Sequence, residues 1–276
     1  MQQTGSKSLR LRCFLAAGAL TLANAANAGT LHGGVFNISF DHPDDLLSGL
    51  TLGDGALTGY YVANYFDKPV ANTMDASQMV TVPTGSYPAP ATLSFAVNPS
   101  SLAGTGIPFG SGGRNNKATT LAWDSSQDAL ANASSFTASG VAGLNGVVMT
   151  RGSFTGTLLS GDYQFGYVAA RNNGVNSGWA LTNNVSFAST TFDTRNISVT
   201  TDGDKLLFTG ELWWSASTSA FLFGGDGLSQ AGRAGSFSLV SPAPAAVPVP
   251  AAAWLFGSGL FGVMAAVRRK RSALPA

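Results

Sequence analysis

The residues able to move protons or hold ions are few in this sequence. His32 and His42 are the only histidines, Cys13 is the only cysteine, and Glu211 is the only glutamate beside thirteen aspartates. A Ser-His-Asp site could combine His42 with Asp41, Asp44 or Asp45, but no Gly-x-Ser-x-Gly turn presents a nucleophile. Asp41-His42-Pro43-Asp44-Asp45 reads instead as a turn that satisfies its own polar groups. Paired carboxylates could hydrolyse glycosides. With one glutamate, on a segment that reads as a strand, a solvated cross-strand charge pair is the expected role of Glu211. Calcium needs several oxygen ligands on loops. The candidates are Asp41, Asp44 and Asp45, then Asp202 and Asp204, then Asp226 in Gly224-Gly225-Asp226-Gly227. None has the EF-hand spacing, and turn-forming aspartate accounts for all three, so no metal or other cofactor is assigned. Gly104-x-Gly106 and Gly110-Ser-Gly-Gly do not open a helix after a buried strand, which a phosphate loop requires.

Flat aromatic rings bind the apolar faces of sugars. Trp123, Trp179, Trp213 and Trp214 are the body's tryptophans. Adjacent strand residues face opposite sides, so one of Trp213 and Trp214 enters the core. Trp213 is the candidate ligand contact. No residue set points to catalysis, and the expectation is a protein that is not an enzyme.

The elements that would position these residues are strands. Asp, Asn, Gly, Ser and Thr are abundant and Lys is scarce, which suits turns and strands rather than helix surfaces. Gly34–Phe40 alternates with Phe36, Ile38 and Phe40 on one face. Leu57–Phe66, Gln78–Val82 and Thr92–Val97 are further strand candidates. Gly104–Asn116 reads as a loop, and Leu121–Ala133 as a short helix capped by Asp124. Val147–Leu159 and Tyr163–Ala169 flank a turn at Ser160-Gly161-Asp162, with Tyr163, Phe165 and Tyr167 on one face. Arg195–Trp214 reads as a hairpin turning at Asp202-Gly203, and Ala234–Val240 as the last strand. About twelve strands without a βαβ spacing predict an all-β, antiparallel two-sheet sandwich, jelly-roll-like. A β-solenoid is the alternative, weakened by the missing repeat.

The two ends differ from this body. Lys7, Arg10 and Arg12 precede an apolar run, Cys13–Leu22, and then Ala26-Asn27-Ala28, the small-residue pattern a signal peptidase reads. The run is too short to span a bilayer. Residues 1–28 are expected to be a signal peptide cut after Ala28, with Ala25 as second choice, which removes the only cysteine. Residues 251–267 are apolar or small throughout. At about 1.5 Å per residue they reach about 25 Å, a short transmembrane helix. Arg268, Arg269, Lys270 and Arg271 follow and hold residues 268–276 in the cytoplasm. Between the ends stand eight cations against fourteen carboxylates, a net charge of −6. A surface of that sign argues against nucleic acid as a partner.

Val247-Pro248-Val249-Pro250-Ala251-Ala252-Ala253-Trp254-Leu255-Phe256-Gly257-Ser258-Gly259-Leu260, followed by a basic cluster, resembles the PEP-CTERM sorting signal of Gram-negative bacteria. The resemblance covers about the last 30 residues, with Val249 where the family has its eponymous Glu. The prolines disfavour helix before them, keeping the segment extended as a protease substrate must be. The resemblance implies export by the Sec machinery and signal peptidase. It implies transient tethering in the inner membrane, cutting by an exosortase-like membrane protease-transpeptidase, and delivery to the cell surface or extracellular matrix. The expected plan is a body over 29–240, a linker with the sorting motif over 241–250, then the helix and tail. The expected function is structural or interactive, in a biofilm or exopolysaccharide matrix. The alternative is a carbohydrate-binding module acting on extracellular polysaccharide.

Overall fold

The computed structural model describes residues 28–48, 51–52, 55–56, 59–102, 113–124, 140–152, 156–202, 205–223, 226–227 and 231–242. Of the expected signal peptide at 1–28 all but Ala28 lies outside them, as do the expected sorting motif, the apolar segment at 251–267, the basic residues 268–271 and Asp204. Gly29–Pro244 forms one compact unit. No helix among the described residues is long and apolar enough to cross a membrane.

In chain order the strands are β1 (Ala28–Thr30), β2 (Val35–Phe40), β3 (Thr51–Leu52), β4 (Gly55–Ala56), β5 (Tyr60–Phe66), β6 (Leu93–Val97), β7 (Ala122–Asp124), β8 (Val141–Asn145), β9 (Val147–Gly152), β10 (Gly156–Gly161), β11 (Gln164–Asn172), β12 (Ser177–Asn183), β13 (Ser189–Asp202), β14 (Lys205–Trp214) and β15 (Arg233–Pro242). Among the described residues the helices are short: α1 (Lys68–Ala71), α2 (Ala76–Met79) and α3 (Ala216–Phe223).

The fold is all-β, as composition predicts, but its main sheet closes. The order β11-β12-β13-β14-β15-β2-β6-β8 returns to β11, making an eight-stranded antiparallel barrel rather than a two-sheet sandwich. The meander β11–β15 meets β2 from the start of the chain, and β6 and β8 complete the circuit. Register shifts in the β11–β12, β12–β13, β13–β14 and β14–β15 pairs add the local twist that closure needs. Closure also removes free edges from this sheet.

Alternation works as expected along these strands. Phe36, Phe95, Phe165, Trp179, Phe208 and Phe237 fill the interior and are all buried. The outer face carries polar ladders: Asn37 Nδ2 donates to Ser238 Oγ at 3.2 Å, and Ser94 Oγ donates to Asn37 Oδ1 at 2.8 Å. An apolar inside and a polar outside is the reverse of a lipid-facing barrel.

A second sheet, β10-β9-β5, leaves the barrel at two corners. Gly146 separates β8 from β9 at φ +146°, a conformation open to glycine, and a Cβ there would lie 2.9 Å from the Phe95 ring. Asp162 separates β10 from β11 at φ +42°, and its N–H donates to the Gly146 carbonyl at 2.9 Å. The two corners therefore brace each other. Val147–Leu159, which reads in sequence as one strand, is the β9–β10 hairpin, paired from Val147–Gly161 to Gly152–Gly156. β9 is buried on both faces: Val148 and Thr150 look toward the barrel side, while Val147 and Met149 join Phe66, Met79 and Val185 in a second core.

Three further expectations change. Gln78–Val82 is not a strand: Asp75 and Gln78 form a reciprocal capping box that starts α2. Asp124 ends strand β7 instead of capping a helix, and residues 125–133 lie outside the described set. Asp202, expected in the turn, is the last residue of β13 and pairs with Lys205, while 203–204 lie outside the described set.

Candidate functional site

A cavity of about 370 Å³ lies where β5, β9 and β10 face the barrel strands β13 and β14 and helix α3. Tyr60 comes from β5, Val148 and Thr150 from β9, Thr157–Ser160 from β10, Thr191 and Phe192 from β13, and Trp214 from the end of β14. Helix α3 supplies Ser217, Thr218, Phe221 and Leu222. Its start is fastened by Ser215, whose Oγ accepts from the Thr218 N–H at 3.1 Å and donates to the Thr190 carbonyl at 2.5 Å. Thr218 Oγ1 donates to the same carbonyl at 2.8 Å, tying the helix to β13.

No Asp, Glu, Lys, Arg or His is among the described lining residues. Its polar side chains carry hydroxyls and an amide. Thr150 Oγ1 donates to Tyr60 Oη at 2.7 Å, and Ser160 Oγ lies 2.7 Å from Tyr163 Oη. Burial pushes the Tyr60 phenol up to about 12, with the Thr150 hydrogen bond acting the other way. Tyr163 is raised as well, chiefly by burial. Both phenols stay protonated near neutrality and cannot serve as bases. A third phenol, Tyr65, is raised by burial and by the Asp67 charge, and donates to the Ser94 carbonyl at 2.5 Å. The unfolded chain releases these protons near pH 10, the folded chain only above it. Stability is therefore expected to hold below about pH 10 and to fall as the pH rises through the folded values, by up to about 1.4 kcal/mol per tyrosine per pH unit. Urea unfolding at pH 8, 10 and 11 measures this; equal stability at all three contradicts it.

Trp214, not Trp213, belongs to this cavity. The parity argument holds, with Trp214 buried and Trp213 half-buried on the opposite face. The Trp213 ring is covered by the Arg195 guanidinium at 3.7 Å, and its Nε1 donates to Glu211 Oε2 at 3.0 Å. Glu211 also accepts from Asn196 Nδ2 at 3.0 Å and lies 3.8 Å from Arg233, which pairs with Asp41 at 3.0 Å. This is the cross-strand charge cluster expected for Glu211. Arg195 leads from Trp213 to a smaller cavity of about 240 Å³, where Asn173, Asn176 and Asp193 meet the apolar side chains of Val175, Trp214 and Ala216. Asp193 is held there by a bidentate pair with Arg171, at 2.6 and 2.9 Å.

The other candidates are dispersed. His32 and His42 are exposed. His42 to Asp45 is a turn, with the Asp45 N–H donating to the His42 carbonyl at 3.2 Å. Among the described residues no three His, Cys, Asp or Glu side chains converge as a metal site. Trp179 is buried in the barrel beside Phe165 and Phe208. No row of exposed tryptophans occurs among the described residues. The exposed aromatic pair is Phe187 and Phe221, 5.7 Å between centroids, and both line the 370 Å³ cavity. Their exposure is a tertiary property with no signal in local sequence. No family model, curated protein or solved structure matches the chain.

Proposed function

We propose that this chain is an exported protein, sorted by an exosortase-like enzyme to the cell surface or extracellular matrix of a Gram-negative bacterium, where it acts by binding and not by catalysis. The observation that carries the binding half is the uncharged lining of the principal cavity, which offers neither carboxylate nor imidazole to move a proton. The sorting half rests on the order of Val247–Pro250, the apolar segment and Arg268–Arg271 at one end, with the Lys7 to Ala28 signal at the other. The acidic body and its polar barrel exterior suit an aqueous, extracellular setting.

Intact mass and C-terminal sequencing of the protein from its native host test the sorting. A product beginning at Gly29 and ending near Val247–Ala251 is expected in the surface or medium fraction. A full-length tail in the membrane with no shorter species overturns it in favour of a permanent anchor.

Carbohydrate binding is the second reading. The smaller cavity favours it, because the amides of Asn173 and Asn176 and the Arg195 guanidinium stand, with Asp193, in an otherwise apolar lining that includes Trp214, a combination that suits sugar hydroxyls and apolar sugar faces. Loss of polysaccharide retention in Arg195→Ala would support that reading, and unchanged retention would remove it.

A further inference from the structure

We infer that the 370 Å³ cavity is a binding site for a neutral, mostly apolar small molecule, such as a medium-chain alcohol or ketone. The inference rests on the reading of the body as a binding module and names the ligand class. Four observations converge on it. The volume falls within the range of small-molecule sites. The lining contains no ionisable partner for a charged ligand, and burying an unpaired charge is strongly unfavourable. Two hydroxyl pairs in the wall already satisfy each other, Thr150 with Tyr60 and Ser160 with Tyr163.

The fourth observation is an apolar rim. Entry is provided by Phe187, Phe221 and Val80, which line the cavity yet are 48%, 60% and 40% exposed. They account for half of the large exposed apolar side chains among the described residues, gathered at one opening. A neutral molecule would pass this rim without shedding a tightly held hydration shell.

Photolabelling tests the assignment on the full chain. The probes are a ten-carbon alcohol bearing a diazirine and the corresponding carboxylic acid at pH 8, with labelled peptides mapped by mass spectrometry. The alcohol is expected to label β10 and α3, about tenfold more than the ionised acid, and to saturate. Thr157→Trp, which fills the wall, is expected to abolish labelling. Melting curves show whether each variant folds, and exposed Phe221→Glu, which charges the rim without touching the core, gives a second reduction if Thr157→Trp fails to fold. Equal labelling by acid and alcohol, or labelling only outside these elements, overturns the site. So does absence of labelling. Because labelling does not depend on where the chain is cut, its failure is distinguishable from failure of the sorting proposal.

Discussion

Arg114→Ala is expected to lower the unfolding free energy by about 3–5 kcal/mol and the melting temperature by about 10 °C. Arg114 and Asp162 are both fully buried. Arg114 Nε and Nη2 donate to the two Asp162 carboxylate oxygens at 2.6 and 2.5 Å, and Nη1 donates to the Ala71 and Met74 carbonyls. One guanidinium thus fastens the segment after α1 to the corner between β10 and β11. Burial drives the Asp162 carboxyl above its usual range, against the Arg114 guanidinium and the Asn115 N–H, which pull it down. Removing the arginine leaves that carboxyl desolvated and unpaired, and leaves two carbonyls without their donor. The corner also sets where β10 lies against the barrel, so photolabelling of the cavity is expected to fall with stability. A double variant, Arg114→Met with Asp162→Asn, keeps a residue tolerant of positive φ at 162 and removes both charges. It is expected to be more stable than Arg114→Met alone, because the orphaned charge is gone. Urea unfolding of the three proteins gives the comparison. A double variant no better than the single would show that the pair is not what holds this corner.

Phe165→Ala is expected to cost about 3–5 kcal/mol. Phe165 has no exposed surface and sits where the barrel's rings meet. Its centroid lies 4.9 Å from Trp179, 5.1 Å from Phe208, 5.2 Å from Phe36 and 5.4 Å from Phe237. These neighbours come from four other strands of a closed sheet. Closure limits inward collapse, so a cavity left at this position stays open. Phe165→Leu keeps most of the volume and is expected to cost about 1–2 kcal/mol. Denaturant midpoints at constant slope would measure both. A Phe165→Ala loss below about 1 kcal/mol would mean that the barrel interior is plastic.

What local chemistry dictates was legible without coordinates. Alternation in Val35–Phe40 and Lys205–Trp214 placed the buried faces of β2 and β14 correctly, because strand side chains alternate whatever the sheet does next. The turn expected at Ser160-Gly161-Asp162 is found at Asp162, with Ser160 and Gly161 still in β10. Helix α2 was misread although Asp75 and Gln78 carry the capping signal, since Val80 and Val82 gave the stretch a strand-like period. Asp124 showed the converse: a good cap residue is not a cap unless a helix follows, and pairing with β1 makes Ala122–Asp124 a strand. Val147–Leu159 looked continuous because its apolar residues run on through the reversal.

From the residues alone it follows that the body is antiparallel β, acidic and able to fold without cysteine, and that Trp213 and Trp214 must part to opposite faces. Composition and period-two patterning act residue by residue, so they set which face of a strand is buried once the strand has formed. The folded chain was needed to learn that the sheet closes, that Trp214 and not Trp213 meets a cavity, and that Arg114 pairs with Asp162 across 48 positions. Closure depends on the pairing of β8 with β11 and of β2 with β15, and the cavity on segments from Phe40 to Leu222. Such pairings depend on how whole strands coil and pack, a sum over the chain that no local window contains.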